Sequence, residues 1–301
     1  MDVHGRDLRY FVAVAEQLHF TRAAESLFVS QPALSKQIRA LERQLGAPLF
    51  ERDRQSVRLT PVGRALLPHA RKVLDAWQEA HGAVRQATAE QQGTLTVGMS
   101  TSPGRGGLLP AIRSRFTETH PGARVKLRQV GWEDATAGLA DGASDVAFVW
   151  LPLSGPERFR WVVMATEPRL VALPEAHPLA GRESVDFAEL LDEPFLALPA
   201  QVPELRDYWL ALDDRETLGA GPPRIGGEIA STDETYEALV DGLGVCLVAS
   251  GNVPLLTRGG VVARPVRGVS PSRFALAWRA DDTRELVRDY ARAAQRVAQA
   301  L

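Results

Sequence analysis

The sequence predicts a multidomain protein: a small, essentially all-α N-terminal domain ending in a hairpin, one long helix, and a C-terminal α/β region. Three observations lead there. Up to about residue 90, apolar residues recur at helical spacing and are punctuated by cap residues. The last part of that segment is a single long helical pattern. From Gly93 onward, short apolar extended runs alternate with helical patterns, as parallel α/β units require. A length of 301 residues suits two or three compact units.

The first helix lies in "LRYFVAVAEQLHF", with Leu8, Phe11, Val12, Val14, Ala15 and Leu18 at a spacing that fits one face. Thr21 is expected to cap a second, "TRAAESLFV". Ser30 caps a third, which tolerates Pro32 in its first turn because N–H groups there lack partners anyway. That helix buries Leu34, Ile38, Leu41 and Leu45 and stops at Gly46. Extended pieces around Leu49-Phe50 and Val57-Leu59, joined by a charged tip, read as a hairpin. Thr60 and Pro61 then open the long helix. Its interior Pro68 is expected to kink it or be absorbed, at about 3 kcal/mol. Its stripe of Leu66, Leu67, Val73, Leu74, Trp77 and Val84 calls for a partner helix.

In the α/β region, "TLTVGMS", "RVKLRQVG" and "SDVAFVWL" read as strands of a parallel sheet. "LLPAIRSRFTETHP" and "WEDATAGLADG" are the helices expected between them. A second set follows: strands "EPRLVALP", "PFLALPA", "PRIGGEIA" and "VCLVAS", with helices "DFAELLDE", "ELRDYWLAL" and "STDETYEALVDGLG". The final strand "FALAWR" and helix "TRELVRDYARAAQRVAQAL" are free to return to the first set.

The apolar fraction of 45% and charged fraction of 24% are ordinary for a globular protein, and the net charge of -2 carries no nucleic-acid signal as an average. The average hides an asymmetry. Up to Lys72 there are twelve basic against seven acidic residues, and the rest is acidic. The one cysteine, Cys246, excludes an internal disulfide and a cysteine-based metal site; it reads as a small core residue, with a redox sensor as the lesser alternative. No stretch is apolar enough for long enough to cross a membrane, and the N-terminus lacks the layout of a signal peptide. A cytoplasmic location is expected.

Two short helices joined by a tight turn, the second begun by Ser-Gln-Pro, are the parts of a helix-turn-helix. Such a motif places the N-terminal residues of its second helix against base edges. Here these are Ser30, Gln31, Pro32, Ala33, Ser35 and Lys36. Gln31 can pair with adenine, Pro32 and Ala33 can meet a thymine methyl, and Lys36 can reach guanine or phosphate. Ser35 is expected to face outward with Gln31 and Lys36. Arg39 shares the face one turn on. Thr21 and Arg22 open the preceding helix, where phosphate is favoured. Arg52, Arg54 and Arg58 on the hairpin form a basic wing. A three-helix domain with a merely solvated polar face is the alternative; the basic wing, the local charge and the long helix favour DNA.

The stretch "FTRAAESLFVSQPALSKQIRALERQLGAPLFERDRQSVRLTPVGRALL" resembles the winged helix-turn-helix of LysR-type transcriptional regulators. The resemblance is dense to about Leu67 and looser beyond. It implies a winged helix-turn-helix domain over 1–60, with the motif at about 20–39, and a linker and dimerisation helix over 61–92. It further implies an effector domain over 93–301. That domain would consist of two Rossmann-like subdomains, like a type 2 periplasmic binding protein. One would span about 93–163 and 269–301, the other about 164–268. The resemblance implies a bacterial, cytoplasmic homo-oligomer that dimerises through the linker helix and is commonly a dimer of dimers. Its partners would be promoter DNA and RNA polymerase. It would use no cofactor, only a small organic effector.

Ligands of open α/β sheets bind beyond the carboxyl ends of strands, at crevices between units. Loops expected there offer Ser100, Thr101, Ser102 and Arg105 first, then Trp132, Trp150, Pro199 and Ala200, and lastly Ser231, Thr232 and Ala249. Arg105 reads equally as a solvated loop residue, and either tryptophan as core. Ser231 with Glu234 also forms a capping box that needs no ligand. Two tryptophans at a cleft suggest an aromatic or apolar ligand. No carboxylate pair, metal triad or nucleophile–base set recurs in these loops, so an enzyme is not expected. A secreted solute-binding protein would carry a secretion signal and no basic helical domain, the reverse of this pattern.

Overall fold

The computed structural model describes residues 4–52, 56–91, 93–101 and 107–300. The chain divides into two units, Met1–Ala83 and Val84–Leu301.

In the first unit, α1 (Gly5–Gln17), α2 (Phe20–Ser26) and α3 (Gln31–Leu45) pack their apolar faces together around Phe11, Val14, Phe20, Ala23, Leu34, Ile38 and Leu41. The short strands β1 (Phe50–Arg52) and β2 (Val57–Leu59) pair antiparallel and close the core with Leu49 and Phe50. The Phe50 ring lies 5.6 Å from Phe11 and 5.8 Å from Phe20, in tilted and edge-on contacts that aromatic quadrupoles favour.

Local chemistry sets the boundaries. Ser30 Oγ accepts from Ala33 N–H at 3.4 Å and starts α3; Gly46, at φ 68°, stops it. The cap of α2 is His19, whose Nδ1 accepts from Arg22 N–H at 3.4 Å. Thr21 is therefore inside the first turn, not the cap expected from the sequence, because the cap falls two residues earlier, at His19, and the helix begins at Phe20. The long helix α4 (Pro61–Gln91) runs unbroken through Pro68. Thr60 Oγ1 accepts from Gly63 N–H at 2.9 Å and donates to Pro48 O at 2.8 Å. Leu66 and Leu67 pack on the core, whereas Val73, Trp77 and Val84 are exposed along α4.

The second unit holds two α/β subdomains. In one, β3 (Thr94–Met99), β4 (Arg124–Gln129) and β5 (Val146–Trp150) are parallel, with α5 (Leu108–Thr119) between the first two. After β6 (Phe159–Glu167) the chain crosses over. The second subdomain contains β7 (Arg169–Pro174), β8 (Val185–Asp186), β9 (Pro194–Ala197), α6 (Pro203–Trp209), α7 (Leu212–Thr217) and β10 (Arg224–Glu228). Then come α8 (Thr232–Val240), β11 (Cys246–Ala249), α9 (Val253–Leu256) and β12 (Val261–Arg267). The chain returns through β13 (Ser272–Arg279) and α10 (Glu285–Ala298). The strand order is β4-β3-β5-β13-β6 in the first subdomain; the second has β11-β7-β12-β8 and the pair β10-β9.

Three expectations change. Residues 132–142 form turns, not a helix, because the Asp134 carboxylate takes the N–H groups of Thr136 and Gly138 at 2.8 and 2.7 Å, in competition with a helical ladder. "DFAELLDE" shortens to a 3₁₀ turn, Phe187–Leu190. The first sheet is mixed, since the returning β13 runs antiparallel to both β5 and β6.

Candidate nucleic-acid interface and ligand cavity

The N-terminal turn of α3 presents Ser30, Gln31, Pro32, Ala33 and Lys36 to solvent, with Arg39 one turn on. Ser35 does not face outward with them. It is 9% exposed, and its Oγ accepts from Gln31 Nε2 at 2.9 Å. Ser35 fixes the Gln31 amide from behind. One amide N–H is used on Ser35, which leaves the second N–H and the amide oxygen, the pair that adenine recognition requires. Thr21 and Arg22 are exposed on α2, and the Arg22 guanidinium also donates to Gln17 O at 3.0 Å. Arg58 is exposed on β2. Arg52 lies on β1; its side chain and Arg54 fall outside the described residues.

The turn before α3 contains a residue that sequence reasoning passed over. Phe28 is 97% exposed and adopts φ 55°. A left-handed conformation costs a side-chain-bearing residue on the order of 1–2 kcal/mol.

Within the second unit, a cavity of about 90 Å³ opens between the subdomains, against roughly 10–15 Å³ for a single water. The first subdomain supplies Ser100, Thr101, Trp132, Asp134, Ala135 and Trp150, at or just beyond the carboxyl ends of β3, β4 and β5. Opposite stand Leu196 and Leu198 near β9, Leu205 and Trp209 of α6, Ile229 after β10, and Thr232 and Thr235 of α8. The wall is completed by β11 from Cys246 to Ala249, with Asn252, Leu255 and Leu256.

Three tryptophans frame this space. Trp150 and Trp209 meet edge to face at 5.6 Å, and Trp132 Nε1 donates to Ser100 O at 3.3 Å. Trp150 also belongs to the core of its subdomain, so its two readings are both met. Polar groups are few and mostly engaged. Both oxygens of Asp134 accept bonds within its own loop, and Thr235 Oγ1 donates to Ser231 O at 2.7 Å. Ser100, Thr101 and Thr232 add hydroxyl-bearing side chains to the wall. Burial pushes the Cys246 thiol up to about 12, so it stands in the cavity wall as a small apolar surface.

Of the residues expected at the cleft, Ser100, Thr101, Trp132, Trp150, Thr232 and Ala249 line the cavity, whereas Pro199, Ala200 and Ser231 do not. Pro199 O accepts from Val202 N–H in the turn leading to α6. Ser231 caps α8, accepting from Glu234 N–H at 3.2 Å, while Glu234 reaches back to Ala230 N–H at 2.8 Å. Ser102 and Arg105 lie outside the described residues. Trp209 and Asn252 were missed. Both sit on segments after a crossover, and "DYWLAL" carried only the signal of a third tryptophan.

Residues 6–64 match the family model for the bacterial regulatory helix-turn-helix of the lysR family, and residues 88–299 match the LysR substrate binding domain. The Hca operon transcriptional activator HcaR of Escherichia coli is 32% identical over 290 residues, covering 95% of each chain. BudR, a regulator of Raoultella terrigena, is 32% identical, covering 91% of this chain and 94% of its own. A cysteine mutant of Corynebacterium glutamicum OxyR with hydrogen peroxide bound is 31% identical with a TM-score of 0.53, covering 100% of this chain and 96% of its own. The chain thus belongs to the LysR family of bacterial transcriptional regulators, DNA-binding proteins whose C-terminal domain takes an effector ligand.

Proposed function

We propose that this regulator reads promoter DNA with the N-terminal turn of α3 and answers to a small, largely apolar aromatic effector in the cavity between its C-terminal subdomains. The observation that carries the DNA half is Gln31, exposed at the start of α3 and fixed by Ser35. Lys36, Arg39 and Arg58 supply phosphate or base contacts beside it. The wall of Trp132, Trp150 and Trp209 with Leu and Ile side chains supports an aromatic ligand, and the hydroxyls of Thr101 and Thr232 would orient one polar substituent. Such a protein works by binding, with no catalytic step and no cofactor, and acts where the chromosome is, in the cytoplasm. RNA polymerase is the partner through which bound DNA would be regulated.

Self-association completes the reading. Val73, Trp77 and Val84 share one face of α4 and are exposed, Trp77 by 64%. A second copy's α4 is the occupant that would cover them.

A peroxide response, suggested by the peroxide-bound OxyR relative, fits poorly. Cys246 is the sequence's single cysteine, is buried, and holds its proton far above neutral pH, whereas reactive thiols need a thiolate. The test is a titration of the full chain with small aromatic compounds, followed by tryptophan fluorescence and by footprinting on selected DNA. A binding aromatic should alter the footprint, and Ala135→Phe, which fills the cavity, should abolish the response while leaving DNA binding intact. A response unaffected by the filled cavity would contradict this site.

A further inference from the structure

Among the described residues, Phe28 is a large apolar side chain beside α3 that neither the core nor the proposed DNA face accounts for. Helix α2 ends in a tight closure in which Phe28 N–H bonds Glu25 O and Val29 N–H bonds Ala24 O, each at 3.0 Å. The left-handed residue of such a closure is most often glycine, because a Cβ is disfavoured there. The chain follows that rule after α3. Gly46, at φ 68°, stands at the matching position, with Gly46 and Ala47 bonding Arg43 and Glu42. After α2 it places a phenylalanine instead.

Its neighbours Leu27 and Val29 pack against the domain core, so the ring between them points away, 97% exposed. Leu18 also takes a positive φ, at the end of α1, but keeps more than half of its surface covered, at 46% exposure. Phe28 is thus unfavourable for folding twice, by backbone conformation and by hydration of a benzyl group. Folding alone would be better served by Gly or Asn. A residue that breaks a local rule without a compensating contact points to function.

Position supplies the function. Phe28 stands two residues before the α3 cap, Ser30, and three before Gln31. A helix that enters the major groove by its N-terminus brings this turn to the edge of the groove, where the exposed apolar group of DNA is the thymine methyl. The exposed residues around the ring in sequence are polar or charged, Arg22, Glu25, Ser26, Ser30 and Gln31, so the ring is a lone apolar group in a polar surround and not part of an apolar protein-docking patch.

We propose that Phe28 is a specificity-determining contact that packs on a thymine methyl at the edge of each half-site. This rests on α3 being the groove-entering helix, and the experiment separates the two claims. Duplexes bound by the full-length protein are selected from a random pool, and each thymine of the selected site is replaced in turn by uracil, which lacks only the methyl. Fluorescence anisotropy is measured with wild type, Phe28→Asn and Phe28→Gly. At one thymine per half-site, uracil should weaken wild-type binding by about three- to tenfold. Both variants should bind the thymine duplex more weakly by a similar factor and be indifferent to uracil at that position. Their melting temperatures should equal or exceed that of wild type, since Asn and Gly tolerate the left-handed turn. Unchanged affinity of the variants, or an equal loss on every duplex with uracil sensitivity retained, would overturn the role of Phe28. A wild type that selects no duplex would overturn the α3 reading along with it.

Discussion

Gln31 is oriented before any DNA arrives. Its Nε2 donates to Ser35 Oγ at 2.9 Å across one turn of α3, so in the proposed base contact the amide would not have to be immobilised at the moment of binding. The serine is nearly buried and contributes nothing to the surface a duplex would touch. We therefore expect Ser35→Ala to weaken binding to a selected duplex by about fivefold, near the 1 kcal/mol of one hydrogen bond, with little change on scrambled DNA. Anisotropy titrations check this; equal loss on both duplexes would put Ser35 among backbone contacts instead. The sequence placed residues 31, 35 and 36 at the helix start correctly, because spacing along a helix is a local property. It did not show that Ser35 turns toward Gln31 and away from solvent, because that depends on the packing of α3 against α1 and α2. The cleft tryptophans follow the same pattern. Trp132 and Trp150 were legible from loop position alone, whereas Trp209 needed the tertiary contact with Trp150.

At the scale of elements, caps and turns explain why Leu59, Thr60 and Gly63 follow the hairpin. Thr60 ties the first turn of α4 to Pro48, and Gly63 lets the helix backbone approach Leu49. A Cβ on Gly63 would lie 2.3 Å from Leu49 O, a backbone atom with little room to yield. Gly63→Ala should therefore destabilise the N-terminal unit by about 2–3 kcal/mol, read as a lowered urea midpoint with an unchanged slope; an unchanged midpoint would contradict the close approach. The exposed face of α4 has its own test. Trp77→Glu should convert the protein to a monomer in sedimentation velocity, and an unchanged oligomer would place the interface elsewhere. Helices α1 to α4 and the hairpin were legible because caps, periodicity and turn residues all act locally. The failures have physical causes. The Asp134 carboxylate captured the N–H groups of a stretch whose composition looked helical. Strand β6 went unread because its exposed Arg160 and Trp161 break the apolar alternation.

At the scale of the molecule, the chain must cross between the C-terminal subdomains and return, and buried charge holds both ends of that path. Arg169, at the start of β7, has a fully buried side chain. It donates to Ser270 O at 2.6 Å and Tyr208 O at 2.9 Å and pairs with Asp214. In the first subdomain, Arg284 bonds Asp145 and Asp282, each at 2.6 Å, and Arg279 pairs with Asp282 at 3.1 Å. Burial alone would raise the Asp282 carboxyl, but the Arg284 hydrogen bond and the charges of Arg284 and Arg279 hold it below its ordinary value. A lowered carboxylate stabilises the fold above the ordinary Asp range, and that stability is lost as pH falls through the lowered value. Asp282→Asn should cost about 3 kcal/mol at pH 7, and its deficit against wild type should shrink as the pH drops below about 4. Urea melts across that range measure it, and a pH-independent deficit would show that the charge is not what matters. The return of β13 and α10 to the first subdomain was foreseeable from the order of strands. The cavity wall was only partly so, because its residues from Ser100 to Leu256 converge solely through that double crossing.

Base reading by the start of α3 is decided by Gln31→Ala. Wild type and variant are titrated on a duplex selected by the wild-type protein and on a scrambled duplex of equal length and salt. The variant should lose about 1–3 kcal/mol on the selected duplex and almost nothing on the scrambled one. An equal loss on both, or no loss on either, would contradict base reading.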